Sequence, residues 1–184
     1  MVVPQIHPKT MRAMAEGRGG YGIGGGQIVP HFFLMRDSRI IPLADSLWQK
    51  AGKRPDRYTE AVFEYVTKHV GYGSDEDVHG LNEYVEMPGE SLDLGWADCE
   101  GTAMLMVALL TIKGVPCHVS FGYAGSGSHR WPEVKYKDGW YIFDTTNGDI
   151  FPKESSFNKG YVAMFYVTPH SFRPSVFPVP LFLP

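Results

Sequence analysis

The fold is decided by the stretch Asp98-Cys99-Glu100-Gly101-Thr102-Ala103-Met104-Leu105-Met106-Val107-Ala108-Leu109-Leu110-Thr111-Ile112-Lys113-Gly114. Its residues are apolar on almost every side of a helix, and a helix of that kind is buried on most sides. Asp98 can cap the first turn, and Gly114 can end the last one. The stretch therefore predicts a helix at the centre of a core.

The regions around this helix predict the rest of the core. Residues 117–123 alternate with period two, which indicates a strand, and residues 130–137 and 140–145 read as two further strands. Residues 161–167 have the composition of another strand. Upstream, apolar residues recur at helical spacing over residues 56–71. Together these patterns predict an α+β fold in which a buried central helix packs on an antiparallel sheet.

Two arms flank this core and divide the chain into three parts. Residues 1–54 are predicted to form an irregular N-terminal arm, because glycines crowd residues 17–26 and periodicity is weak around them. Residues 55–168 form the predicted core. Residues 169–184 form an extended C-terminal arm, whose prolines exclude a helix or a central strand. This tail is too apolar for a solvated end, so we expect its own domain or a neighbouring subunit to cover it.

Composition limits the functions to consider. The 184 residues include 17 basic and 20 acidic side chains without a basic stripe, which argues against nucleic-acid binding. No segment approaches the roughly 18 apolar residues of a membrane span, and the first residues lack the pattern of a secretory leader. The two cysteines do not form a Cys-x-x-Cys pair, which favours a reducing compartment. We expect a protein that is cytoplasmic or part of a larger particle.

Nucleotide and metal sites find little support in the sequence. The glycines of residues 17–26 lack the preceding strand and following helix of a dinucleotide fold, and they lack the Gly-Lys-Ser/Thr of a P-loop. A metal site built from Cys99, Cys117, His118 and His129 fails because residues 117 and 118 point to opposite faces of a strand. We expect Cys117 to be a core thiol and His118 to be exposed. No cofactor and no metal are expected.

Cys99, His129 and Asp144 can supply a nucleophile, a base and an orienting acid. The backbone N–H groups at a helix start stabilise a thiolate, whereas the flanking Asp98 and Glu100 oppose it unless Asp98 caps the helix. A histidine beside the thiol can take its proton, and a carboxylate can fix the histidine tautomer.

The predicted hairpin places these last two residues apart. With Asp138-Gly139 as the turn, residue 133 lies opposite Asp144, four residues from His129. A bulge near Pro132 is then needed to bring the imidazole to the carboxylate.

Three motifs resemble those of the transglutaminase-like superfamily of papain-like folds, in particular its microbial cysteine proteinases. The motifs are Asp98-Cys99-Glu100-Gly101, His129-Arg130-Trp131-Pro132-Glu133-Val134 and Asp144-Thr145-Thr146. The resemblance implies Cys99 as nucleophile, His129 as base and Asp144 as orienter. It also implies an oxyanion site formed by the backbone N–H of Cys99 and an upstream aromatic, for which Tyr72 and Trp96 are the candidates. Pro132 departs from the family pattern, since it has no backbone N–H to donate.

Two classes of function follow from these observations. The first is an enzyme that forms a thioester on Cys99 from a protein or peptide amide, with hydrolysis preferred over crosslinking to an amine. The second is a structural or virion-type assembly protein that uses the same fold without catalysis. Its functional parts are the two arms, which join copies of the chain into a homo-oligomer or larger assembly.

Overall fold

The computed structural model describes residues 21–23, 26–28, 37–80, 84, 86–168 and 171–174. Its α-helices are α1 (Ile41–Lys50), α2 (Pro55–His69), α3 (Asp75–His79), α4 (Pro88–Leu94) and α5 (Cys99–Ile112). Short 3-10 helices cover Ser38–Ile40, Lys153–Ser155 and Phe157–Lys159. No helix in this described part is long and apolar enough to cross a membrane.

The strands form one large sheet and two small ones. Their bounds are β1 (Tyr21–Ile23), β2 (Gly26–Ile28), β3 (Gly71–Tyr72), β4 (Trp96–Ala97), β5 (Cys117–Ala124), β6 (Gly127–Tyr136), β7 (Gly139–Asp144), β8 (Asp149–Pro152), β9 (Tyr161–Thr168) and β10 (Ser171–Pro174). The large sheet is antiparallel, with strand order β10-β9-β5-β6-β7-β8. Strands β3 and β4 form a parallel pair, and β1 pairs with β2.

Helix α5 is the buried central helix that the sequence predicts. Every residue from 100 to 110 is buried. The Asp98 carboxylate caps the helix by accepting from the backbone N–H of Glu100 at 2.7 Å and of Gly101 at 2.8 Å. Tyr58 of α2 donates its hydroxyl to the carbonyl oxygen of Leu109 at 2.7 Å. The predicted α+β fold, with a central helix on an antiparallel sheet, is confirmed.

The large sheet buries both of its faces in part. Side chains of one face, among them Val119, Val134 and Phe143, join α5 and α2 in the main core. Because side chains alternate along a strand, the neighbouring positions point the other way. There a smaller apolar cluster forms from Trp131, Ile142, Phe151 and Tyr161.

The β6–β7 hairpin is confirmed, but its predicted register is wrong by two residues. Tyr136 pairs with Gly139, so the turn residues are Lys137 and Asp138, and Lys137 takes a left-handed φ of 51°. Contacts with α2 hold this turn, since Tyr136 donates its hydroxyl to Glu60 and the Lys137 N–H donates to Asp56.

This register changes the position of Asp144. If the observed register is continued by two residues, Trp131 lies opposite Asp144. His129 is then two positions along β6 from the residue opposite Asp144, rather than the four that the sequence predicted. No bulge interrupts β6 at Pro132, because the pairing of β6 with β5 is continuous.

The three-part division of the chain stays a prediction, but part of the N-terminal arm differs from the irregular structure expected. Helix α1 lies within residues 1–54, and its Ala44 and Leu47 are buried in the main core. Strands β1 and β2 also form within this arm. In the C-terminal arm, β10 pairs at the edge of the sheet, where a proline is tolerated. Residues 1–20, 24–25, 29–36, 169–170 and 175–184 of these arms lie outside the described residues.

Candidate active site

Cys99 is the first residue of α5 and is half-buried. Asp98 is the N-cap, so the helix begins at the next residue, which is Cys99. The backbone N–H of Arg130 donates to the Cys99 thiol, so the sulfur lies against the residue that follows His129. The structure therefore brings the start of helix α5 to strand β6.

The first turn of α5 contacts the ends of β6 and β7 where these strands stop pairing. Counted from the hairpin turn, the last residue pair of the β6–β7 ladder is Glu133 with Ile142. The next residue of β6 is Pro132, which has no backbone N–H to continue the ladder. Beyond that point the end of β7 contacts the helix instead, because Thr145 donates its hydroxyl to that of Thr102 at 3.0 Å. Pro132 thus marks the place where the sheet opens toward the helix.

His129 and Asp144 are joined by a hydrogen bond across this opening. The His129 Nε2 lies 2.8 Å from Oδ2 of Asp144, and both side chains are buried. Burial alone would raise the pKa of Asp144, but hydrogen bonds from His129 and Tyr161 lower it to about 2. An ionised carboxylate only accepts, so Nε2 carries the proton and Nδ1 is the acceptor of the ring.

Four further hydrogen bonds hold the Asp144 carboxylate in place. Its Oδ1 accepts from the backbone N–H of Thr146 at 2.9 Å and of Asn147 at 3.0 Å. Its Oδ2 accepts from the Asn147 side chain at 3.0 Å and from the Tyr161 hydroxyl at 2.5 Å. No motif in the sequence marks Tyr161 or Asn147 as a residue of the site. Asn147 is three residues after Asp144, so a turn that hydrogen-bonds the Asp144 carboxylate could have been predicted there. Tyr161 is 17 residues away, and nothing in the sequence near it indicates a contact with Asp144.

The electrostatics of the Cys99 thiol differ from the expected effect of a helix start. Burial raises the pKa of Cys99 to about 12, the Asp98 carboxylate adds to the rise, and Arg130 opposes it. Burial and Glu100 in turn raise the pKa of Asp98 to about 7. The thiol is therefore neutral at pH 7, and a thiolate has to be made by proton transfer to a base.

Tyr72 and Trp96 lie on the neighbouring strands β3 and β4 and line an open cleft of about 420 Å³. Gly73, Asp77, Val78 and Leu94 complete its wall. Burial raises the pKa of the Tyr72 phenol, and Cys99 adds to the rise. Trp96 precedes Cys99 by three residues, at the strand that leads into α5. Both aromatic side chains remain more than half exposed. Their role as oxyanion donors stays a prediction.

Cys117 and His118 lie on opposite faces of β5, as their adjacency predicts. Cys117 is a core thiol, 3.7 Å from the carbonyl oxygen of Val107 on α5. His118 is not exposed as expected, because its side chain is 13% exposed and bonds to Glu133 at 3.1 Å. Lys153, from the segment after β8, pairs with the same carboxylate and covers that face of the sheet.

Glu133, the acidic residue of the second motif, lies at the centre of this group. Burial opposes its ionisation, but His118 and Lys153 hold the pKa of Glu133 below its ordinary value. Its Oε1 also accepts from the indole N–H of Trp131 at 3.3 Å. Trp131 also stacks on His129 with ring centroids 5.9 Å apart, so His129, Trp131 and Glu133 follow one another along one face of β6.

Comparisons with known proteins agree with this fold. A family model described as the transglutaminase-like superfamily matches residues 43–145, more than half of the chain. The structure of Legionella pneumophila LapG is similar with a TM-score of 0.60 and 17% identity, covering 94% of this chain and 90% of that one. EGTA-treated LapG gives a TM-score of 0.61 and 16% identity over 94% and 88% of the two chains. Calcium-bound LapG is similar with a TM-score of 0.52 and 14% identity, covering 72% of this chain and 87% of that one. No curated protein sequence matches the chain significantly.

Proposed function

The chain belongs to the transglutaminase-like superfamily, and on that premise we propose that it catalyses acyl transfer from protein or peptide amides through a thioester on Cys99. The observation that carries the proposal is the bond from His129 Nε2 to the ionised Asp144. It leaves Nδ1 as the proton acceptor of an imidazole on the strand that touches the Cys99 thiol. A thiol, a base and an orienting acid are the parts that such chemistry needs.

In the proposed reaction, His129 Nδ1 takes the proton from the neutral Cys99 thiol as the sulfur attacks the amide carbonyl. The tetrahedral intermediate collapses when the C–N bond breaks, and the imidazolium gives its proton to the leaving amine. The thioester is then attacked by water, activated by His129, which releases the acid and regenerates the thiol. Asp144 stays ionised throughout and stabilises the imidazolium.

The cleft lined by Tyr72 and Trp96 is the proposed place for the acyl side of the substrate. Exposed aromatic side chains beside the nucleophile provide apolar surface for a peptide chain. The backbone N–H of Cys99, at the start of α5, is the proposed first donor to the oxyanion. Either the Tyr72 hydroxyl or the Trp96 indole N–H is the proposed second donor.

Hydrolysis is the preferred outcome, and crosslinking to a lysine is the alternative. The cleft lined by Tyr72 and Trp96 is open to solvent, which supports water over a selected amine as the acyl acceptor. A test incubates the protein with a peptide library in the presence and absence of a fluorescent primary amine. New peptide termini without amine incorporation support hydrolysis, whereas amine incorporation into glutamine peptides supports crosslinking.

The activity itself is tested by labelling with a peptide-like, thiol-reactive electrophile. We expect Cys99 to be labelled and Cys117 to stay unlabelled, with labelling lost in Cys99→Ala and much reduced in His129→Ala. Cys117→Ala is the matched control, because it removes a thiol that packs against Val107 rather than at the helix start. Equal, slow labelling of both cysteines in wild type contradicts the proposal.

A further inference from the structure

We propose that Tyr161, on the far strand β9, is a positioning residue that holds the Asp144 carboxylate in the orientation that His129 needs. The inference rests on the proposed function of Cys99 and His129, and it adds a fourth side chain to that site. Tyr161 lies outside the part of the chain that matches the family model, which ends at residue 145.

The Tyr161 hydroxyl shares one carboxylate oxygen with the imidazole. Oδ2 of Asp144 accepts from the hydroxyl at 2.5 Å and from His129 Nε2 at 2.8 Å. The Asn147 side chain donates to the same oxygen and lies 3.4 Å from the Tyr161 hydroxyl. Removal of the phenol donor therefore leaves more negative charge on Oδ2 for the imidazole, and it removes one of the hydrogen bonds that fix the orientation of the carboxylate.

Packing fixes the phenol in this position. The Tyr161 ring meets Trp131 edge to face at a centroid distance of 5.2 Å, and it contacts Phe151 at 5.1 Å. It also lies 6.1 Å from the His129 ring at 65°. The backbone N–H of Tyr161 donates to the carbonyl oxygen of Ser156 at 2.8 Å, which anchors the start of β9. The aromatic cluster therefore fixes the position of the Tyr161 hydroxyl.

Charged groups on the adjoining elements complete the surroundings of this pair. On the helix side, Glu100 lies 3.4 Å from the guanidinium of Arg130, the residue after His129. Asp98 lies at the start of the same helix. On β8, Asp149 is directly across from Asp144. Substitution of Tyr161 by Phe changes none of these charges, so its effect reports on the phenol donor alone.

The experiment compares Tyr161→Phe with Tyr58→Phe, which also removes a buried hydroxyl hydrogen bond, made in this case to the carbonyl oxygen of Leu109. We expect kcat/KM for peptide hydrolysis to fall about tenfold in Tyr161→Phe, the loss of one hydrogen bond to a charged group. The acid limb of its pH profile should move to higher pH, because Oδ2 then acts more strongly on the imidazolium. Tyr58→Phe should lower stability with an unchanged pH profile.

Nitrogen-15 NMR of the histidine rings provides a readout that needs no activity. In Tyr161→Phe we expect the His129 nitrogen signals to move and its Nε2 proton to exchange faster, and in Tyr58→Phe to stay as in wild type. If wild type cleaves nothing but these signals move, the proposed function fails while the positioning role stands. If the signals and the pH profile both stay unchanged in Tyr161→Phe, the inference is overturned.

A second variant avoids the apolar cluster altogether. Asn147 is exposed, so Asn147→Ala removes another donor to Oδ2 without a cost in packing. We expect a smaller change of the His129 signals in the same direction, and a change of opposite sign overturns the inference even if Tyr161→Phe does not fold.

Discussion

Gly122 lies directly opposite His129 in the β5–β6 ladder, at the point where the pairing of β5 with β9 shifts register. A Cβ atom on Gly122 would lie 2.0 Å from the carbonyl oxygen of Val162, which is backbone and has no rotamer that avoids the clash. Strand β9 can lie this close to β5, beside the position of His129, only because residue 122 has no side chain.

Replacement of Gly122 by alanine should therefore disturb the site and the fold together. We expect Gly122→Ala to lower the free energy of unfolding by about 2–3 kcal/mol, as overpacking in a tight region does, and to reduce activity further by displacing His129. Gly127→Ala is the control, since its Cβ would meet nothing closer than 4.0 Å. Chemical denaturation and peptide cleavage measure both effects, and similar stability of the two variants would argue against the clash.

The negative charge of Asp98 should raise the pKa of the Cys99 thiol above the value it would have beside a neutral residue. Its carboxylate raises the pKa of the thiol, while its oxygen is needed as the helix cap. Asp98→Asn keeps an acceptor and removes the charge, so we expect the pKa of Cys99 to fall and the rate of its alkylation at pH 8 to rise.

The same experiment separates the charge of Asp98 from its capping role. Asp98→Ala removes both, and loss of the cap should cost about 1 kcal/mol of stability. The rate is measured by mass spectrometry at Cys99, with Cys117 as internal reference. An Asn variant that is alkylated more slowly than wild type would show that the carboxylate does not oppose the thiolate.

Tyr72 and Trp96 can be told apart as oxyanion donors by substitution with phenylalanine. Tyr72→Phe removes only a hydroxyl, and Trp96→Phe removes an indole N–H while an aromatic ring remains. We expect one of them to lower kcat about a hundredfold with little change in KM, the loss that follows removal of an oxyanion donor. If both variants raise KM alone, the two residues only bind substrate in the cleft.

Glu133 should contribute to stability rather than to chemistry. Its buried carboxylate pairs with His118 and Lys153, so Glu133→Gln leaves these groups without their counter-charge. We expect a loss of about 3 kcal/mol in the free energy of unfolding, measured by urea titration. Glu64→Gln, which breaks an exposed pair with Lys68, should have a much smaller effect. Comparable losses in the two variants would contradict this assignment.

The features predicted from sequence are those whose signals are local. Helix α5 was predictable because its apolar residues, its Asp98 cap and Gly114 all lie within one stretch. The hairpin itself was also predictable, because it joins two adjacent strands.

The features that sequence could not provide depend on contacts between distant residues. The hairpin register is held by Asp56 and Glu60 of α2, about 80 positions upstream of the turn, so the dipeptide Asp138-Gly139 was misleading. The contact of Tyr161 with Asp144 spans 17 residues and has no motif. His118 is covered by the rings of Trp140 and Tyr166, which come from two different strands.

The parallel pair of β3 and β4 ties the end of α2 to the start of α5. Gly71 donates its N–H to the carbonyl oxygen of Gly95 at 2.8 Å, and Gly73 donates to that of Ala97 at 3.1 Å. The cleft aromatics therefore stand on the same short ladder that leads into Cys99. Because backbone groups alone make these hydrogen bonds, a substitution at residue 72 or 96 alters the wall of the cleft while the strand that leads into Cys99 keeps its path.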